Sequence, residues 1–357
     1  MRTSGISMNQ NTWDRLSGYL PAWDQQTWDR LFGSGHAFDE SAVVGIVSIL
    51  GIALAVTPLA ILLMDRTGRI EPDLKKDLWR RYFSWLVMVP LVVLPILLGA
   101  AWSLALFTVL SLLCLREFAG ATGVFREKLM NLLVVIGILS LAFAVADHWY
   151  RLFVALTPMG IVVITAVATS LDRPKGYIQR VALAIFGFVL FGTCLGHLSY
   201  MTNDTHYRSL VLLLIFCVQL NDVFAYIVGK SLGGPKLAPQ TSPNKTISGA
   251  LAAVVLTTIL VYWLSGLVFT EGQLSEPLQR VVLGLLISIG GQLGDLTVSA
   301  IKRDVGIKGT GVLVPGHGGV LDRANSLLLS APAMFHFINH FRLIGLDQAT
   351  NLFSGGG

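Results

Sequence analysis

Three aspartates lie where mostly apolar runs of the sequence meet polar segments, and all three follow residue 220: Asp222, Asp295 and Asp322. A carboxylate at membrane depth costs several kcal/mol unless it is paired, hydrated or bound to a cation. Each aspartate alone could be a structural hydrogen-bond acceptor, and Asp322 could simply pair with its neighbour Arg323. Together, at the ends of three helices, they indicate one polar cavity that could hold a divalent cation.

Two links between apolar runs, 230–246 and 301–319, combine glycines, hydroxyl groups and basic residues. Their basic residues are Lys230, Lys236, Lys245, Lys302, Arg303 and Lys308. Backbone N–H groups at Gly and Pro turns, together with Lys side chains, suit phosphate oxygens. A helix that begins near Thr241 or Ser242 would add its positive end. The GxxxxGK[ST] pattern is absent, so a bound nucleotide must be held by carboxylates and by these two links.

His317 stands between glycines in the second of these links. It could act as a general acid, donate a hydrogen bond to a phosphate, or be a loop histidine with no chemical role. The flanking Gly316 and Gly318 allow the backbone to approach a ligand closely, which favours a functional role.

The composition of the chain predicts the element class that must position these residues. Of 357 residues, 54% are hydrophobic and only 13% are charged, whereas a soluble domain has roughly 25% charged residues. Several apolar runs are long enough to cross a bilayer core of about 30 Å. This pattern excludes a soluble enzyme, a disordered chain, a coiled coil and a transmembrane β-barrel. It predicts an all-α polytopic integral membrane protein with about ten transmembrane helices.

The hydrophobic pattern also gives boundaries for these elements. Ten spans are predicted, at 42–64, 82–100, 102–115, 129–146, 152–170, 181–201, 209–229, 247–269, 280–300 and 320–341. We therefore divide the chain into an amphipathic N-terminal segment (1–40), N-terminal transmembrane helices (41–205), a catalytic transmembrane region (206–345) and a C-terminal tail (346–357).

Basic residues are concentrated in alternate links between the spans: 65–81, 116–128, 171–180, 230–246 and 301–319. Positively charged links face the cytoplasm, so both termini are expected outside and both polar links inside, where nucleotides are found. This distribution accounts for the net charge of +5, and we expect no nucleic-acid partner. Because neither a secretory signal nor a transit peptide is recognisable, we expect a bacterial inner (cell) membrane.

The N-terminal segment contains an internal repeat, in which residues 12–16 recur as residues 27–31. The spacing of Trp and Leu indicates two short amphipathic helical turns that lie on the lipid headgroups. A tail without regular structure is the alternative, and neither interpretation assigns chemistry to this segment.

One segment of the chain reads Ser299-x-Ile301-Lys302-Arg303-x4-Lys308, then Pro315-Gly316-His317-Gly318-Gly319-x2-Asp322-Arg323. This segment resembles the signature of phosphatidate cytidylyltransferases, which are also called CDP-diacylglycerol synthases. A second motif of that family resembles Asn221-Asp222-x-Phe224-Ala225-Tyr226-x2-Gly229-Lys230 with Ser242-Pro243-x-Lys245-Thr246. The resemblance covers about 210–341, and Arg116-Glu117-Phe118 is a weak upstream echo.

This resemblance implies a polytopic homodimer that joins CTP and phosphatidic acid in the bilayer, giving CDP-diacylglycerol and pyrophosphate with the help of Mg²⁺. It implies that Asp295 and Asp322 hold the metal. The catalytic residues would be Asp222, Asp295, Asp322, Lys302, Arg303 and His317. The substrate-binding residues would be Asn221, Lys230, Ser242, Lys245, Thr246, Ser299, Lys308, Arg323 and Asn325.

The chain departs from the family pattern at several polar positions. Gly309 and Asn325 stand where the family has Asp, and two further charged residues are missing from the segment 242–249. Asn325 could still ligate Mg²⁺ through its amide oxygen, but without charge. Three alternatives stay open on the sequence: a CTP-dependent kinase of a polyprenol-type lipid, a non-catalytic paralogue, and a cation-coupled transporter.

Overall fold

The computed structural model describes residues 25–67, 71–311 and 318–355. The helices are α1 (Gln25–Phe32), α2 (Ser41–Arg66), α3 (Pro72–Leu98), α4 (Ala100–Thr122), α5 (Lys128–Ala146), α6 (Tyr150–Ser170), α7 (Tyr177–Gly187), α8 (Leu195–Tyr200), α9 (Tyr207–Leu232), α10 (Ile247–Val268), α11 (Pro277–Asp304), α12 (Leu321–Ala324) and α13 (Leu327–Phe341). Two antiparallel strands, β1 (Lys236–Ala238) and β2 (Ser242–Thr246), form a hairpin. Shorter turns are the π segment Phe188–Cys194 and the 3-10 turns Val124–Arg126, Met201–Asn203 and Gln273–Ser275.

Nine helical segments in the described part of the chain are long and apolar enough to cross a membrane. They correspond to the first nine predicted spans, and they confirm the polytopic all-α class. The predicted tenth span, 320–341, is divided into α12 and α13, and α13 has only 15 residues. The break lies beside Asn325, in the signature region itself.

Helix α4 is longer than the sequence predicts. The third span was expected at 102–115, with Glu117 in the following link, but the helix continues to Thr122. Arg116 is exposed, while Glu117 is buried and finds hydrogen-bond donors inside the protein. The helix therefore continues past Arg116 and Glu117, because Arg116 faces the surface and Glu117 is hydrogen-bonded inside the protein.

Contacts between the links define two ends of the bundle. At the hairpin end, which carries residues 116–128, 171–176, 233–246, 301–311 and 318–321, Arg303 donates to the backbone of Thr241. At the tail end, which carries residues 30–40, 145–149, 201–209 and 339–355, Asn203 donates to the backbone of Val145. Four of the five predicted basic links, 116–128, 171–180, 230–246 and 301–319, have described residues at the hairpin end.

Helices α9, α10, α11 and α13 pack closely because small residues stand at their crossings. A side chain at Gly249 of α10 would collide with the backbone oxygen of Ala225 on α9. A side chain at Gly294 of α11 would likewise collide with the backbone oxygen of Asn325. These crossings bring the polar residues of four segments together at the hairpin end.

Helix α1 was predicted to lie on the lipid headgroups, but one face of it packs against the helical bundle. Its Arg30 donates to the side chain of Asn203 at 2.8 Å, and Leu31 is buried against the bundle. Phe32 remains 44% exposed. The inner face of α1 therefore packs on protein, because Arg30 finds acceptors there that lipid cannot supply. The first copy of the repeat lies outside the described residues.

Candidate active site

Asp295, on α11, is held by donors from two other segments. The Nζ atom of Lys245 forms an ion pair with one carboxylate oxygen, and the amide nitrogen of Asn325 donates to the other. The side chains of Lys245 and Asp295 are 21% and 18% exposed. The structure thus brings together three residues that the sequence analysis assigned to the site.

Asp222 joins this group through α13. The hydroxyl of Ser326 donates to Asp222 at 3.0 Å, and the backbone nitrogen of Ser326 donates to the amide oxygen of Asn325 at 2.8 Å. Asn325 in turn donates to Asp295. We call Asp222, Lys245, Asp295, Asn325 and Ser326 the first network.

The hairpin positions Lys245 next to the start of α10. Thr246 is the N-cap of α10, and its hydroxyl accepts from the backbone nitrogen of Gly249 at 3.2 Å. Ser248 donates to the backbone oxygen of Gly233, which closes the link from α9. A capping Thr is a strong local signal for a helix start. Lys245, one residue before this cap, is thereby held beside the start of α10, from where it reaches Asp295 on α11.

Asp322, on α12, belongs to a second network with Lys302, which lies on α11 seven residues after Asp295. Its carboxylate forms an ion pair with Lys302 at 2.7 Å, and it accepts from the backbone nitrogens of Thr310 at 3.1 Å and Gly319 at 3.3 Å. The two charged side chains are only 14% and 10% exposed. A carboxylate that receives an ammonium and two backbone donors is stabilised in its ionised form.

Glu117 completes the second network, and the sequence analysis did not include it among the site residues. It accepts from the hydroxyl of Thr310 at 3.0 Å and from the backbone nitrogens of Val320 and Leu321, both at 2.9 Å. The only signal in the sequence was the short echo around residue 117. Charged residues at the end of an apolar run are otherwise typical of a membrane boundary.

Asn221 has a place inside the bundle. Its side-chain oxygen accepts from Thr257 at 3.0 Å and from Ser288 at 2.6 Å, which ties α9 to α10 and α11. The residue is fully buried. Its amide is occupied by these partners, so its predicted contact with substrate stays a prediction.

Four predicted basic residues lie at the surface of the hairpin end: Lys230, Arg303, Lys308 and Arg323. Lys230 lies over the ring of Tyr226, and Arg303 donates to the hairpin backbone. Lys308 and Arg323 form no ion pair with any residue that the structure describes. Exposed cations beside the two networks are available to phosphate groups.

The remaining predicted residues have simpler positions. Ser299 is buried on α11, four residues beyond Asp295, and Ser242 begins β2 and is half-buried. His317 lies outside the described residues, so its predicted role stays a prediction.

Oxygen donors in the first network fit Mg²⁺. Asp222 and Asp295 supply carboxylates and Asn325 supplies an amide oxygen, and Mg²⁺ typically uses one or two carboxylates together with waters and phosphates. Among the described residues, no group of three or more His, Cys, Asp or Glu side chains could hold a metal ion. The Asn325 amide, waters and substrate phosphates would therefore have to complete the coordination. Asp295 and Asp322 lie in different networks, so their predicted sharing of one metal stays a prediction.

Comparison with known proteins gives several matches. The phosphatidate cytidylyltransferase of Bacillus subtilis strain 168 is 32% identical over 268 residues, which are 72% of this chain and 93% of that protein. The enzyme of the same name from Brucella abortus strain 2308 is 44% identical over 144 residues, 39% of this chain and 51% of that protein. An uncharacterized Escherichia coli K12 protein, YnbB, is 32% identical over 249 residues, 68% of this chain and 81% of that protein.

The cytidylyltransferase family matches residues 79–341. This match includes every described residue of the two networks and both polar links. It begins within α3, so α1 and α2 precede it. With a match over most of its length, the chain belongs to the cytidylyltransferase family.

Proposed function

We propose that this protein is a phosphatidate cytidylyltransferase, which converts CTP and phosphatidic acid into CDP-diacylglycerol and pyrophosphate. One observation carries the proposal: two carboxylate–lysine networks lie together with exposed cations at one end of a membrane bundle, inside the family match. A lipid substrate explains why a nucleotidyltransferase has so many spans, since its acyl chains stay in the bilayer.

The reaction is one displacement at phosphorus. A phosphate oxygen of phosphatidic acid forms a bond to the α-phosphorus of CTP. The bond from that phosphorus to the oxygen bridging to the β-phosphorus breaks, and pyrophosphate leaves with the electron pair. No covalent enzyme intermediate is needed, because catalysis of such a transfer rests on positioning and on neutralising charge.

The residues of the two networks divide this task. Asp222, Asp295 and Asn325 would hold Mg²⁺, which when bound neutralises charge on the triphosphate. The ammonium group of Lys245 pairs with Asp295. When the nucleotide binds, this group would exchange the carboxylate for a phosphate oxygen. Lys302, which Asp322 holds in the second network, and the exposed Arg323 and Lys308 bind phosphate oxygens of the nucleotide or of the lipid headgroup.

The membrane arrangement follows from the same proposal. The hairpin end faces the cytoplasm of a bacterial cell, because the basic links are found there and CTP is a cytoplasmic nucleotide. The acidic lipid headgroup meets the site at the membrane surface. We expect the protein to act as a homodimer in the inner membrane.

Labelled CTP tests the proposal. Purified protein in detergent is mixed with phosphatidic acid, Mg²⁺ and CTP labelled on the α-phosphate, and label in the lipid phase is counted. We expect label in lipid with wild-type protein, none with Asp322→Asn, and full transfer with Asp77→Asn. Asp77 is the matched control, since it is a surface carboxylate that pairs with Arg81 at 2.8 Å.

Label entering lipid only from the γ-phosphate would contradict the proposal and identify a lipid kinase. Label in neither case, with CTP still bound, would identify a non-catalytic paralogue.

A further inference from the structure

Glu117 is a buried carboxylate that the proposed chemistry does not use. It lies near the end of α4 and is 6% exposed. One of its oxygens accepts from the backbone nitrogen of Val320, and the other accepts from the backbone nitrogen of Leu321 and the hydroxyl of Thr310. A buried carboxylate is costly unless such donors surround it.

These donors come from both sides of the second polar link. Thr310 precedes Gly311, and Val320 follows Gly319, so one side chain holds the two flanks of the link together. The partners are separated from Glu117 by about 190 to 200 positions in the sequence. A contact of this kind fixes the relative positions of segments that backbone structure alone leaves apart.

Gly311 and Gly319 are shaped to this carboxylate. A Cβ atom at Gly311 would lie 2.5 Å from one oxygen of Glu117, and a Cβ atom at Gly319 would collide with the other. Neither glycine has a backbone angle that excludes other residues. Their lack of a side chain is therefore explained by the space that Glu117 occupies.

The same contacts reach Asp322. The hydroxyl of Thr310 lies 3.0 Å from Glu117 and 3.2 Å from Asp322, and the backbone nitrogen of Thr310 donates to Asp322. The backbone nitrogen of Gly319 also donates to Asp322. Movement of either flank would therefore change the donors that hold Asp322 and its partner Lys302.

We propose that Glu117 is a positioning residue for the transfer reaction, acting through Thr310 and residues 319–321 to place Asp322. The proposal rests on the proposed function, and it gives Glu117 no contact with substrate. A carboxylate is required at this position because three donors converge on it. The amide of Gln has one oxygen and two N–H groups. Its N–H groups would therefore face the N–H or O–H group of at least one of these three donors.

Hydrogen exchange tests the contacts independently of turnover. We expect the amides of residues 319–321 to exchange at least tenfold faster in Glu117→Gln than in wild type. The amides of α11 and α5 should keep their wild-type rates. Unchanged exchange at 319–321, or equal acceleration throughout the protein, would overturn the proposal.

A pair of compensating substitutions, in which one side chain is enlarged and its neighbour is shortened, then tests whether these contacts affect kcat. Gly311→Ala should lower kcat about tenfold or more by pushing against the carboxylate. Glu117→Asp withdraws that carboxylate by one methylene, so the double variant should turn over at least fivefold faster than Gly311→Ala alone. Losses in kcat that multiply would show that Gly311 and Glu117 act independently, and that result would contradict positioning through this contact.

The two proposals fail in different ways. Absence of cytidylyl transfer by wild-type protein would count against the proposed function and leave the exchange result to decide on the contacts of Glu117. Active wild-type protein with full activity in Glu117→Gln would overturn only the positioning role.

Discussion

At the tail end of the bundle, Asp204 lies 2.9 Å from Arg342, and Arg208 donates to the backbone of Gly33 at 2.5 Å. At the hairpin end, Asp322 lies 2.7 Å from Lys302, while Arg323 and Lys308 lie exposed without an ion pair among the described residues. Both ends therefore combine acidic and basic side chains, but at the hairpin end the exposed Arg323 and Lys308 lie beside two buried carboxylate–lysine networks.

The charged residues of the tail end hold segments of the fold together, whereas those of the hairpin end are candidates for binding and catalysis. Arg30 and Arg208 are each 6% exposed and are used to attach the N-terminal segment to the bundle. Asp147 is fully buried and accepts from the backbone of Phe353 and Ser354, which attaches the C-terminal residues. The tail end thus stabilises the fold, and the hairpin end is the place to look for turnover.

Asp295→Asn should nearly abolish activity, as Asp322→Asn does, and these are the largest effects that we expect. The change removes the charge that two neighbouring segments bind, and we expect transfer to fall by about a thousandfold or more. The melting temperature should fall only moderately, because Asn can still hydrogen-bond to Asn325 although Lys245 loses its ion pair. The measurement is label transfer together with thermal unfolding in detergent. Near wild-type transfer would remove Asp295 from the site and with it the contrast between the two ends.

Asp204→Asn should show the opposite pattern. Asp204 is 2% exposed and binds the partly exposed Arg342, so its loss should cost about 3 kcal/mol of unfolding free energy. The kcat value should stay within about twofold of wild type, because the reaction occurs at the other end. Thermal unfolding and label transfer on the same sample check both statements. A large fall in kcat of a fully folded variant would show that the tail end takes part in the reaction.

Asn325→Asp should sharpen the account of the first network. Asn325 donates to Asp295, which an ionised carboxylate cannot do, but the added charge should attract a divalent cation. We expect the Mg²⁺ concentration for half-maximal transfer to fall severalfold, on the order of threefold to tenfold. Titration of Mg²⁺ at saturating CTP measures this. A higher Mg²⁺ requirement would mean that Asn325 does not face the metal.

The smallest expected effect concerns pH and the tail end. The hydrogen bond with Glu40 raises the pKa of His206 above its ordinary value of 6.5, against an opposing effect of burial. Burial raises the pKa of Glu40, but hydrogen bonds with His206 and Ser209 outweigh it and lower that pKa below 4.5. The stabilising effect of His206 is therefore present at low pH and is lost as pH rises through its raised pKa. The effect of Glu40 is present above pH 4.5 and is lost on acidification.

The melting temperature should accordingly be highest between about pH 4.5 and the raised pKa of His206, and it should fall slightly above that range. His206→Gln should flatten the alkaline side of this profile and leave kcat unchanged. A profile identical in wild type and variant would show that this pair contributes nothing to stability.

Much of the fold was predictable from hydrophobic runs, because a helix in lipid must be apolar over a known length. The exception at α4 is instructive: Glu117 reads as the start of a link, yet it is buried inside the helix. Its donors come from residues about 200 positions away, and hydrophobicity carries no information about such partners.

The site was predictable as a set of residues more than as an arrangement. The family resemblance identified Asp222, Lys245, Asp295 and Asp322, and its implication that Asp295 and Asp322 hold one metal stays a prediction. The structure connects Asp295 to Asp222 through Asn325 and Ser326, a connection that the sequence did not indicate. Which carboxylates meet depends on how closely the helices cross, and that distance is set by small residues such as Gly294.

Mass spectrometry of the lipid product tests the central claim most directly. Purified protein is incubated with one defined phosphatidic acid, CTP and Mg²⁺, and the lipid and the water-soluble products are both identified. The account predicts a lipid that has gained one cytidine monophosphate unit, with one pyrophosphate released for each lipid converted. A lipid that has gained only a phosphate group, with CDP in solution, would contradict it.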